Sequence, residues 1–150
     1  RNPFKISKKL GSSDMSKFGS LFEAGNDRAK VAKDTIQSLS KFLTAKYPGW
    51  KLEICTKAGD KEGICEYGRK TIGLTRYILS DCSVGGVVST FIHELAHIET
   101  PGNNHDKVWQ NKNTELLNKY SDDVTKLVKD SRRPYIAYFA TWGADKELKV

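Results

Sequence analysis

Apolar residues first fall into a regular rhythm just after Asn26. Val31, Thr35, Ile36, Leu39, Phe42 and Leu43 recur at three-and-four spacing, which predicts a helix with one buried face, capped by Asp27. Pro48 disfavours helix in the residue before it and Gly49 extends the break, so this helix ends near Tyr47. The rhythm then changes to strict alternation. Trp50, Leu52, Ile54 and Thr56 fall on one side and Lys51, Glu53, Cys55 and Lys57 on the other, the period of a half-buried strand. A charged turn, Ala58 to Gly63, leads to two short strands, Ile64 to Tyr67 and Thr71 to Arg76, joined as a hairpin by Gly68, Arg69 and Lys70. About three strands are too few to bury two faces, so the sheet must lie against helices, and the expected fold class is α+β.

Ser83 is placed to cap a further helix through VGGVVSTFIHELAHIET. Its apolar residues, among them Val84, Val87, Val88, Phe91, Ile92 and Leu95, form a broad core-facing stripe. The opposite stripe holds Gly85, Gly86, Ser89, Thr90, His93 and His97, so two imidazoles stand on one face about 6 Å apart along the axis, with small residues beside them. Beyond this helix, residues 121 to 150 read as a short helix around Val124 to Val128 and a basic break at Arg132, Arg133 and Pro134. An aromatic run, YIAYFATW, follows and is expected in the core or at a sheet edge.

His93, Glu94 and His97 form an HExxH pattern. Two His one helical turn apart can each direct a nitrogen to one Zn²⁺, while Glu94, roughly 100° around the helix, reaches a water beside the metal and serves as its base. Catalytic zinc usually takes three protein ligands and keeps a fourth position open. The third ligand expected here is His105, which follows the turn-rich ETPGNN, with Glu115, Asp106 and Glu99 as competing carboxylates. Glu99 is better suited to accept a hydrogen bond from an imidazole N–H.

The pattern resembles a known group at this point. The run TIGLTRYILSDCSVGGVVSTFIHELAHIETPGNNHDKVWQ is similar to the SprT-like and WLM zinc peptidases, relatives of Spartan. In that group a strand of the form tIxLn precedes the HELAH helix, and a later His is followed by a large apolar residue four positions on. The corresponding features here are Thr71 to Thr75, His93 to His97, His105 and Trp109, and the likeness covers about residues 64 to 120.

The resemblance implies a small zincin-like domain: an N-terminal helix, a small mixed sheet, the metal-binding helix and C-terminal helices. It also implies a zinc metallopeptidase with one Zn²⁺ held by His93, His97 and His105, and Glu94 as catalytic base. The strand Thr71, Ile72, Gly73, Leu74 and Thr75 would be the edge that pairs with an extended protein or peptide substrate. Tyr135 or Tyr138 is the candidate hydroxyl donor to the oxyanion of the tetrahedral intermediate. Members that cleave proteins crosslinked to DNA often carry a C-terminal zinc ribbon, and this chain has no CxxC spacing.

Composition narrows the rest. One hundred and fifty residues suit one domain, expected at 21–150 behind a basic arm at 1–20. The net charge of +7 is concentrated in residues 1–50, which carry 10 basic against 4 acidic side chains. Within them Arg1, Lys5, Lys8, Lys9 and Lys17 can contact phosphate, so the competing functional reading is a non-catalytic zinc-stabilised module that binds nucleic acid or an assembly partner. Three cysteines, Cys55, Cys65 and Cys82, cannot close a disulfide framework and favour an intracellular setting, cytoplasm or nucleus. The chain begins at Arg1 rather than Met, so export stays open. No apolar run is long enough to span a membrane.

Overall fold

The computed structural model describes residues 12–55 and 62–142, with side chains described for 27–55 and 62–140. Residues 1–11 of the expected basic arm, and most of the turn expected at 58–63, lie outside the described residues. In chain order the elements are α1 (Ser12–Lys46), β1 (Lys51–Cys55), β2 (Gly63–Glu66), β3 (Thr71–Thr75), α2 (Arg76–Ser80), α3 (Val84–Glu99), α4 (Lys107–Arg132), a 3-10 turn (Arg133–Tyr135) and α5 (Ile136–Trp142). This is the expected α+β arrangement, with no helix among the described residues long and apolar enough to cross a membrane.

The first helix ends where expected, before Pro48, but its backbone begins at Ser12 rather than at an Asp27 cap. Val31, Leu39 and Leu43 on its inner face are fully buried. Phe42 meets Phe91 and Tyr120 edge to face, at centroid distances of 6.0 and 5.0 Å, which ties α1 to α3 and α4.

The sheet has the strand order β1-β3-β2. β1 runs parallel to β3, pairing Leu52 with Ile72 and Ile54 with Leu74, and β2 is antiparallel to β3 as the expected hairpin. This order corrects the expected substrate strand. Thr71–Thr75 is the central strand, bonded on both sides, and Thr71, Ile72, Gly73 and Leu74 are buried, so its backbone has no free edge to offer. The edges are β1 and β2.

Two further expectations change in the C-terminal third. The short helix around Val124 is part of the 26-residue α4, whose buried positions Leu116, Tyr120, Val124, Val128 and Arg132 are four residues apart and form one stripe against the core. Of the two places expected for the aromatic run, core or sheet edge, the structure takes the core and makes the run helical: Pro134 sits in the 3-10 turn, where a missing N–H is tolerated, and Tyr138 and Phe139 then enter the core from α5.

Candidate metal centre

α3 is set in place from its first turn. Ser83 accepts a hydrogen bond from the Gly86 N–H at 3.1 Å, the cap expected from the sequence, and Val87, Phe91, Ile92 and Leu95 are buried against the core. The opposite face turns His93 and His97 toward a cleft whose near wall is β2.

The chain between α3 and α4 brings the third imidazole back. Thr100 ends α3, its hydroxyl donating to the Ala96 carbonyl at 2.8 Å, and Gly102 turns the chain at φ 88°. His105 has a left-handed backbone at φ 62°, a conformation that costs an L-residue roughly 1–2 kcal/mol. Its carbonyl accepts from Gln110 Nε2 at 3.0 Å. The next residue, Asp106, caps α4 by accepting from the Trp109 N–H at 3.0 Å, and it also accepts from Asn103 Nδ2 at 2.7 Å.

The Nε2 atoms of the three histidines converge. His105 Nε2 is 2.9 Å from that of His93 and 3.1 Å from that of His97. One ligand atom from each ring lies within 4.8 Å of the others, so the set can hold a metal ion. Nitrogens bound at about 2.0–2.1 Å to a tetrahedral ion stand about 3.3 Å apart, close to the spacings found here, and three imidazoles suit zinc and its divalent neighbours. Burial, then the neighbouring rings of His97 and His105, pushes His93 down to about 4, so its lone pair is free of protons at neutral pH.

Glu94 lies beside this cluster, 5% exposed, and lines the cleft with the imidazoles. Gly63 makes room for it: a Cβ there would lie 3.0 Å from Glu94 Oε2 and 3.1 Å from Leu74 Cδ2. Beneath the rings lies the indole of Trp109, with centroids 4.5 Å from His93, 4.7 Å from His105 and 5.3 Å from His97.

The competing ligands are engaged elsewhere. Asp106 is the helix cap, and Glu115 is exposed and paired with Lys112 at 3.1 Å. Glu99, expected to accept from an imidazole, accepts the Tyr47 hydroxyl and pairs with Lys112 at 3.4 Å. The oxyanion candidates are also corrected. Tyr135 donates to Asp34 at 2.7 Å and Tyr138 to Asp81 at 2.6 Å, and neither lines the cleft. Among the described residues the tyrosine that lines the cleft is Tyr67, just after β2, whose hydroxyl donates to the His97 carbonyl at 2.6 Å.

All three cysteines are free thiols. Cys65 faces the cleft, where burial and the charge of Glu94 push it up to about 12 and keep it protonated. Sequence reasoning missed Gly63 and Tyr67, because nothing in GICEY announces that this strand forms the wall opposite the histidines.

No curated protein and no solved structure matches this chain. The SprT-like family profile matches residues 32–129, from the middle of α1 through the histidine cluster to the end of α4, and the chain belongs to the SprT-like family.

Proposed function

We propose that this chain is a zinc-dependent metalloendopeptidase whose catalytic unit spans 21–150 and whose partner is an extended protein or peptide substrate. The observation that carries this reading is the convergence of three imidazole nitrogens beside a buried carboxylate on one open cleft. One Zn²⁺ held by His93, His97 and His105 supplies Lewis acidity toward a carbonyl oxygen and a water.

The chain's own groups do the rest. Glu94, one residue from the first ligand, accepts a proton from the attacking water and delivers it to the departing amide nitrogen. Its cleft position and low exposure keep competing solvent away from the carboxylate. β2 has its outer edge unpaired among the described strands and lines the cleft from Gly63 to Cys65. An extended substrate backbone can add to that edge, which takes the role first assigned to Thr71–Thr75.

The test is elemental analysis of the purified protein with a proteolysis screen of unfolded and DNA-bound proteins, with and without chelator. One equivalent of zinc and cleavage that is lost to chelation and restored by zinc support the reading. Cleavage that persists in metal-free protein overturns it.

Gly63→Ala tests the placement of Glu94. The added methyl meets Oε2 at 3.0 Å, so the carboxylate must shift while the three imidazoles keep their positions. Small displacements of a reacting group are costly, and kcat is expected to fall about tenfold or more with zinc content unchanged. Full activity in Gly63→Ala would show that the contact has no catalytic weight.

A further inference from the structure

The indole of Trp109 touches every ring of the proposed ligand set. It lies at 30° to His97, 58° to His93 and 76° to His105, with centroid distances between 4.5 and 5.3 Å. The side chain is 7% exposed, and its Nε1 has no hydrogen-bond partner among the described residues, so its contacts with the site are made by the ring faces and edges. Its backbone N–H is held by the Asp106 cap in the first turn of α4, which fixes where the indole starts.

Such a plate has a definite physical effect. The terminal torsion of a histidine is broad, so an imidazole on a helix face or in a loop samples many ring planes unless something packs against it. His105 needs this most, because it comes from a loop with a left-handed backbone. A rigid bicyclic ring against all three imidazoles removes that freedom before the cation arrives, and affinity rises because less ordering is left for binding. A bound cation also draws charge from the imidazoles, and their partial positive charge is favoured within about 6 Å of an indole ring.

We propose that Trp109 is a positioning residue that fixes the planes of His93, His97 and His105 and thereby sets the affinity and coordination geometry of the metal centre. This rests on the reading of those three residues as ligands.

The experiment titrates the metal-free protein with Co²⁺, whose visible bands report coordination geometry. The wild type should take one equivalent with the intense bands of a four-coordinate site. Trp109→Leu fills much of the volume without the plate, and should bind Co²⁺ about 10- to 100-fold more weakly, the range for residues that orient metal ligands, with altered bands. Trp109→Phe, which restores one ring, should lose less in the same direction.

Val124→Ala, in the same helix and fully buried, controls for stability alone and should lower Tm while leaving Co²⁺ affinity and bands as in the wild type. Wild-type affinity and bands in Trp109→Leu overturn the proposal while leaving the ligand assignment standing. If Trp109→Leu does not fold, unchanged affinity and bands in Trp109→Phe overturn it. A wild-type protein that takes up no Co²⁺ refutes the ligand assignment itself, and the proposal with it.

Discussion

Glu94→Gln retains one zinc per chain and loses proteolysis by a factor of about 10²–10⁴, the contribution of a well-placed general base. Glutamine has the same length and nearly the same shape, so it fits the space that Gly63 leaves for Glu94 without moving Leu74. What disappears is the ability to accept a proton from water. The three imidazoles are untouched, so metal content is the internal control. Purified variant and wild type are compared for bound zinc, Tm and cleavage of an unfolded protein. If the chain is instead a non-catalytic zinc-stabilised module acting through its basic arm, Glu94→Gln leaves its function intact. Cleavage within a factor of two of the wild type would remove Glu94 from the chemistry.

The histidine cluster was easier to read than the sheet, for a physical reason. HExxH is a local code: helical periodicity alone places His93 and His97 on one face, and Ser83 marks where that periodicity begins. His105 was accessible because it is the one remaining histidine and follows a turn too short to carry it away. Strand order is not local. TIGLT alternates weakly and reads equally well as an edge or a centre, and what makes it central is the parallel pairing with β1 from twenty residues earlier.

GICE is an edge strand instead, and its glycine matters for what stands opposite it rather than for its own conformation. Tyr135 and Tyr138 were misplaced for a similar reason. Their hydroxyls satisfy Asp34 and Asp81, distant in sequence, and a phenol in an aromatic run gives no sign of which carboxylate it will meet. The start of α1 was missed because the serines and glycines between Ser12 and Asn26 read as a loose arm, although Met15, Phe18, Leu21 and Phe22 keep the helical spacing.

Arg132 shows the same limit most sharply, and it carries the second large expected effect. Beside Arg133 and Pro134 it reads as a surface break, yet it is 1% exposed and the largest fully buried side chain among the described residues. Its Nη1 donates to the Cys82 carbonyl at 2.6 Å and its Nη2 to the Leu79 carbonyl at 3.1 Å, while Phe139 lies 4.4 Å from the guanidinium carbon. Those carbonyls belong to the end of α2 and to the residue just before the Ser83 cap, so one side chain of α4 fixes the entry to α3.

Replacing a buried ion pair by apolar residues is often harmless because both charges leave together. Here two of the partners, the Leu79 and Cys82 carbonyls, are backbone groups that no substitution removes. Arg132→Met therefore leaves both acceptors without these donors, and is expected to cost about 4 kcal/mol from lost charged hydrogen bonds and imperfect repacking. At this chain length that lowers Tm by roughly 10 °C. Arg132→Lys, able to reach one carbonyl, should fall between. Thermal unfolding followed by circular dichroism reads all three proteins. An Arg132→Met protein that melts within a degree or two of the wild type would mean that water satisfies these carbonyls as well as the guanidinium does.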